Sequence, residues 1–364
     1  MKLLFSAMLF TGAVAFAQIP PGYRSQTHQD RANSGPGVYG QAVPSDYNSN
    51  VTPLYPGVTI ARDVSFGPHP KDLVDIFTAA KGGGNRPVFI YVPGGAGNKI
   101  EQQDREANAF YDNIGRWATE NGMVGVTMQR HPGQNWDDPA KDVSAMIQWL
   151  EANIAKYKGN SNRMFISAHS AGNGPLGTYI GRQEVWGPRG VGVKGAIFIS
   201  GQWNVAPLQT AGQGRGAAGR GAAGAGGGAA AAGSACGANG LANDGAIVGK
   251  SSVNAGVDAA AAGRGRAAGG QVDAATQLER STLPEFKKTK VKMMFITAEL
   301  DPGIHGSVSA FSQTLHDELC KEGPDHCPTL LLAKGESHMS EVFAFDTPDK
   351  TLSGPILAWM KKVK

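Results

Sequence analysis

The stretch from Phe165 to Pro175 reads FISAHSAGNGP. A short apolar run ends in a serine with small neighbours, and a segment of helical character follows. This is close to the G-x-S-x-G turn that lifts a nucleophilic serine out between a strand and a helix. Ala168 stands in the first glycine's place and Gly172 keeps the second small position. The neighbours must be small because strand and helix nearly touch at such a turn. An alanine adds one methyl group, acceptable where the backbone angles suit a Cβ. Ser170 is therefore a candidate nucleophile, and the rest of the chain has to supply its partners.

A serine alcohol is a poor nucleophile near neutral pH. It needs an imidazole to take its proton, a carboxylate to orient that imidazole, and two donors where an oxyanion forms. At a turn of this kind the acid and then the histidine follow the serine, each in a loop after a late strand. The sequence MMFITAELDPGIH is an apolar strand followed by a loop with Asp301, and LLLAKGESHMSE is a strand followed by a loop with His338. Glu299 is a rival acid, and His305, His316 and His326 are rival bases. His169 adjoins the serine, but neighbours on a sharp turn point apart, so it is expected to pack or to line the pocket entrance. In FIYVPGGAGNK a strand ends in Gly94, Gly95, Ala96 and Gly97, whose N–H groups no side chain would block. Gly94 and Gly95, with the N–H of Ala171, are the candidate oxyanion donors. The same glycines lack the spacing of a dinucleotide site and the lysine of a phosphate loop.

Around these motifs strands and helices alternate. GVTIARDVSFG and KDLVDIFTA read as two strands divided by Gly67-Pro68. RPVFIYV, MVGVTMQ, RMFISA, VKGAIFIS, VKMMFIT and TLLLAK read as buried strands. PAKDVSAMIQWLEANIAKY places Val143, Met146, Ile147 and Leu150 on one helical face. SVSAFSQTLHDEL and LSGPILAWMKKV read as further helices, the last with a basic end that suits its C-terminus. The expected architecture is one α/β domain, 57–364. Its sheet is mostly parallel, with an antiparallel start and helices on both faces.

Other features bound the function. The chain has 364 residues, 18% charged, with a formal charge of +4. That charge is too mild to call for nucleic acid or an anionic membrane. Residues 1–17, MKLLFSAMLFTGAVAFA, have the basic start, short apolar run and small-x-small end of a secretory signal peptide, which predicts export to the periplasm or beyond. Residues 18–56 read as an extended arm. Residues 209–275 are dominated by Gly and Ala and offer almost no large apolar side chain to offset ordering, which predicts a disordered surface insertion. In an oxidising compartment Cys320 and Cys327 of CKEGPDHC are expected to pair, with Cys236 left over. Trp136, Trp186 and Trp203 are aromatic candidates for a pocket wall, though packing is the commoner role.

Taken together, the runs ARDVSFG…DLVDIF, PVFIYVPGGAG, AHSAGN, FITAELDP and SHMSEVFAFDTPD…GPILAWM resemble α/β-hydrolase-fold serine esterases. The similarity is to the bacterial carboxylesterase, feruloyl-esterase-like and hormone-sensitive-lipase-like group. It covers about Gly57 to Gln209 and Leu283 to the end. The resemblance implies Ser170 as nucleophile, His338 as general base and Asp301 as its partner, with Gly94, Gly95 and Ala171 as oxyanion hole. It also implies a small-molecule ester substrate and neither metal nor organic cofactor. Two departures stand out: Pro93 where many relatives carry histidine, and Ala168 for glycine. An amidase or peptidase of the same fold, and a catalytically silent binding protein on it, are the other readings.

Overall fold

The structure is a computed structural model. It describes residues 55–94, 111–130, 137–201, 203, 205, 275, 278, 280–299, 307–336 and 340–363. Residues 1–54, where the signal peptide and most of the extended arm are expected, and residues 209–274 of the expected insertion lie outside the described residues.

Strand residues form a single eight-stranded sheet. In chain order the strands are β1 (Val58–Ser65), β2 (Leu73–Ala79), β3 (Arg86–Val92), β4 (Val124–Met128), β5 (Gly159–His169), β6 (Gly195–Ile199), β7 (Lys292–Ala298) and β8 (Thr329–Ala333). Their spatial order is β1-β2-β4-β3-β5-β6-β7-β8. β2 pairs antiparallel with both β1 and β4, and every later pairing is parallel. The parallel pairs put the C-terminal ends of β3, β5, β6, β7 and β8 along one edge, where ligands meet open α/β sheets.

Both faces of the sheet are covered, which is why the central strands read as nearly continuous apolar runs. Side chains still alternate between the faces. Val88, Ile90, Val92, Ile166, Ala168 and Phe198 pack on one side. Phe89, Tyr91, Phe165, Ile197 and Ile199 pack on the other. On the first side lie α2 (Asp138–Asn153), α3 (Asn173–Gly181), α4 (Thr282–Phe286) and α5 (Ser307–Cys320); on the second lie α1 (Asp112–Glu120), α6 (Ser340–Phe343) and α7 (Ser353–Lys362). Val143, Met146, Ile147 and Leu150 of α2 are all buried, as their spacing requires. The last residues of the expected helix, Ile154–Tyr157, tighten into a 3-10 turn and Lys158 reverses the chain at φ 66°. The Lys158 ammonium then donates to the carbonyls of Ala79 and Ala80 at the end of β2.

Three helices escape the sequence pattern: α1, α4 and α6. Each is short, so only one or two turns of periodicity are available. In α1, Ile114, Trp117 and Ala118 bury against the sheet. Its first residue, Asp112, is fully buried and paired with Arg62, which also reaches Asp75. That two-carboxylate grip ties the antiparallel strands to the helix.

Cys320 and Cys327 form the expected disulfide between α5 and β8. Among the described residues no helix is long and apolar enough to cross a membrane.

Candidate active site

β5 delivers the candidate nucleophile. Ala168 is its penultimate residue, fully buried and paired with Val92 on one side and Phe198 on the other. Its Cβ belongs to the apolar layer beneath α2 and α3. A glycine is therefore not needed there, which accounts for the departure from the usual spelling. At Ser170 the chain leaves the strand with φ 51°, in the left-handed region. For a residue with a Cβ this is strain of about 1–3 kcal/mol, tolerated only where the surroundings enforce it. A 3-10 turn, Ser170–Gly172, runs straight into α3.

Three neighbours enforce the turn. A Cβ on Gly172 would sit 2.6 Å from the carbonyl oxygens of Val92 and Pro93, so only a glycine lets the turn close on the end of β3. A Cβ on Gly94 would lie 2.7 Å from the Ser170 Cβ and from the His169 carbonyl oxygen. Asn173 is fully buried and its amide donates to the Ser170 carbonyl (2.9 Å) and the Ile199 carbonyl (2.8 Å), stapling the turn to β6.

The structure thus brings Ser170, Ala171 and Gly94 together. Ala171 stands at the start of the turn into α3, where backbone N–H groups lack intrahelical acceptors and a developing negative charge is favoured. Gly95, Asp301 and His338 lie outside the described residues. Their parent strands are described: β3, β7 and β8 end on the same sheet edge as β5, at Val92, Ala298 and Ala333. Of the rivals, Glu299 accepts the N–H of Gly335 at 2.8 Å and so caps the turn after β8. His316 lies on α5, its Nδ1 2.8 Å from Asp317, and its Nε2 3.5 Å from the Cys320 sulfur.

Of the two roles expected for His169, packing is the one the structure shows. His169 does not line a pocket entrance: it is 2% exposed, and its Nε2 faces the fully buried Glu341 carboxylate at 3.2 Å. Strand alternation turns it to the face opposite Ala168.

Sequence reasoning also missed Arg130. Its guanidinium is buried and Nε donates to the Pro93 carbonyl at 2.7 Å. Pro93 has no N–H, and its carbonyl is held between Arg130 and Gly172. The chain is therefore anchored at the residue before Gly94. Neither Asn173 nor Arg130 belongs to a periodic pattern, but an Asn directly after S-x-G was a visible cue for the first. Tyr91, beside Tyr111 with rings 4.9 Å apart, has its phenol raised well above the ordinary value, chiefly by burial. Trp203 packs on Phe198 and Phe295 and donates to the Ser312 hydroxyl, which is a core role. Trp186 donates to the Tyr179 carbonyl.

Among the described residues one group has metal-ligand character, His316 with Cys320 and Cys327. Its two sulfurs are joined to each other and are not available as thiolates.

A model of the BD-FAE family matches residues 74–184, from β2 through the serine turn and α3. The probable isoprenylcysteine alpha-carbonyl methylesterase ICMEL1 of Arabidopsis thaliana is 25% identical over 118 residues, 31% of this chain. The aligned part is 23% of that curated relative's length, so the chain spans about a quarter of it. Esterase B from Lactobacillus Rhamnosis superposes with a TM-score of 0.57 at 14% identity, over 86% of this chain and 88% of that one. A truncated carbohydrate esterase from gut microbiota gives 0.53 at 13% identity, over 88% and 98%. Sheet order, strained serine turn and these likenesses together make the chain an α/β-hydrolase-fold protein, and esterases are what it resembles.

Proposed function

We propose that the protein is an exported serine hydrolase that cleaves small carboxylic esters through an acyl-enzyme. The observation that carries this reading is Ser170, a buried hydroxyl residue held at φ 51° with Gly94 and Ala171 beside it. Strain of this kind persists where a side chain has to be presented at a fixed point. In the proposed cycle Ser170 attacks the ester carbonyl while His338, oriented by Asp301, takes its proton. The N–H groups of Gly94, Gly95 and Ala171 receive the oxyanion. His338 then protonates the leaving alcohol, and the same histidine activates the water that releases the acid. No step calls for a metal or an organic cofactor.

The names of the similar proteins point the same way, since a methylesterase and several esterases are among them. Esterase B from Lactobacillus Rhamnosis is described as inhibited by a tributyrin phosphonate, a reagent class that suits a serine nucleophile. The test is a chain-length series of p-nitrophenyl esters, acetate to decanoate, on wild type and Ser170→Ala. Short-chain turnover that vanishes in the variant supports the proposal and bounds the acyl pocket. Turnover that survives the substitution would sink it.

A further inference from the structure

His169 and Glu341 are buried beside the candidate site, yet neither has a part in the proposed reaction. His169 is bonded to Ser170 along the chain. On its ring, Nδ1 lies against Gly94, 3.1 Å from where a Cβ there would stand, and Nε2 lies 3.2 Å from Glu341. Glu341 belongs to α6, which begins two residues after His338. One imidazole therefore touches three things: the strand end that presents the serine, the first glycine of the candidate oxyanion turn, and the helix that follows the histidine loop. Side-chain exposure at the pair is 2% and 0%, so water does not compete for either group.

An apolar pair would fill that space without leaving charge inside the protein. A buried imidazole and carboxylate 3.2 Å apart hold their two elements at a set distance, most firmly where solvent is excluded. We propose that the His169–Glu341 pair is a positioning brace for the reaction, setting the Ser170 turn and Gly94 relative to α6, the helix that follows His338 in the sequence. This inference rests on the proposed esterase function. The two residues touch no substrate; they act through Ser170 and Gly94. Arg130 holds the same region at the residue before Gly94 in the chain, since it grips the Pro93 carbonyl.

The experiment uses Glu341→Gln, His169→Asn and their double variant on the full chain. A fluorescent alkylphosphonate first counts the reactive serines, and kcat and KM for p-nitrophenyl acetate are then expressed per titrated site. Loss of fold lowers the count, whereas a displaced brace lowers kcat per counted site. The expected result for Glu341→Gln is a kcat about 10- to 100-fold lower with KM within about two-fold, the scale of a sub-ångström misplacement at reacting atoms. The double variant should be no slower than the worse single variant, because both remove one contact. A kcat per site within about two-fold of wild type, or losses that multiply in the double variant, would overturn the brace. Should Glu341→Gln fail to fold, Glu341→Asp carries the same test, since it shortens the reach while keeping the charge. If wild type is neither labelled nor active, the esterase reading itself falls, and the brace with it.

Discussion

The left-handed backbone at Ser170 makes a prediction that needs no substrate. Comparing Ser170→Gly with Ser170→Ala isolates the Cβ, because both lack the hydroxyl. Alanine keeps the clash that makes φ 51° costly, about 1–3 kcal/mol for a residue with a Cβ. Glycine relieves it but gains freedom in the unfolded chain, which offsets about 0.5–1 kcal/mol. The remainder is about 1 kcal/mol in favour of the glycine variant, or a rise of about 1–2 °C in Tm for a domain of this size. Urea denaturation of the two purified variants in one buffer reads the difference directly. A glycine variant no more stable than the alanine variant would show that the turn is not strained. The argument that the surrounding structure stores energy to present Ser170 would then be lost.

Further perturbations follow from neighbouring contacts. Gly172→Ala places a methyl 2.6 Å from two backbone oxygens. It should cost about 1–3 kcal/mol in urea unfolding and remove most esterase turnover. Arg130→Met leaves the buried Pro93 carbonyl without its 2.7 Å donor. A loss of about 1–3 kcal/mol is expected, together with a larger fall in kcat than in binding. Replacing Cys320 and Cys327 by serine opens a loop of sequence separation 7, and chain entropy puts the loss at about 2.5 kcal/mol, measurable as a lower urea midpoint that reductant no longer changes. Asp346 supplies a pH dependence. Burial first, then the Glu120 side chain, raise its carboxyl from 3.8 to about 8, against the pull of Arg116 at 3.2 Å. Above its ordinary value the unfolded chain has shed a proton that the folded chain keeps. Stability should therefore fall as pH climbs from about 4 to about 8. Asp346→Asn should flatten that slope in urea midpoints taken at pH 5 and pH 8.

Local chemistry made much of this protein legible in its sequence. Apolar runs of β-branched and aromatic residues mark the central strands, because a sheet covered on both faces leaves few polar positions to interrupt them. The face of α2 repeats often enough to be read. The serine turn shows itself through small residues on either side of Ser170, and the disulfide through two cysteines bracketing a short turn. Folding alone decided what depends on distant partners. Gly172 matters because of two carbonyls at the end of β3, nearly eighty positions away. Ala168 is acceptable because its Cβ enters a core layer that α2 and α3 complete. Arg130 finds Pro93 only once β3 and β4 lie side by side. His169 finds Glu341 only when α6 settles on the face opposite Ala168. A sequence pattern records which residues can share a face of one element. Which element packs against that face is fixed by the tertiary structure, and there the buried charges acquire their partners.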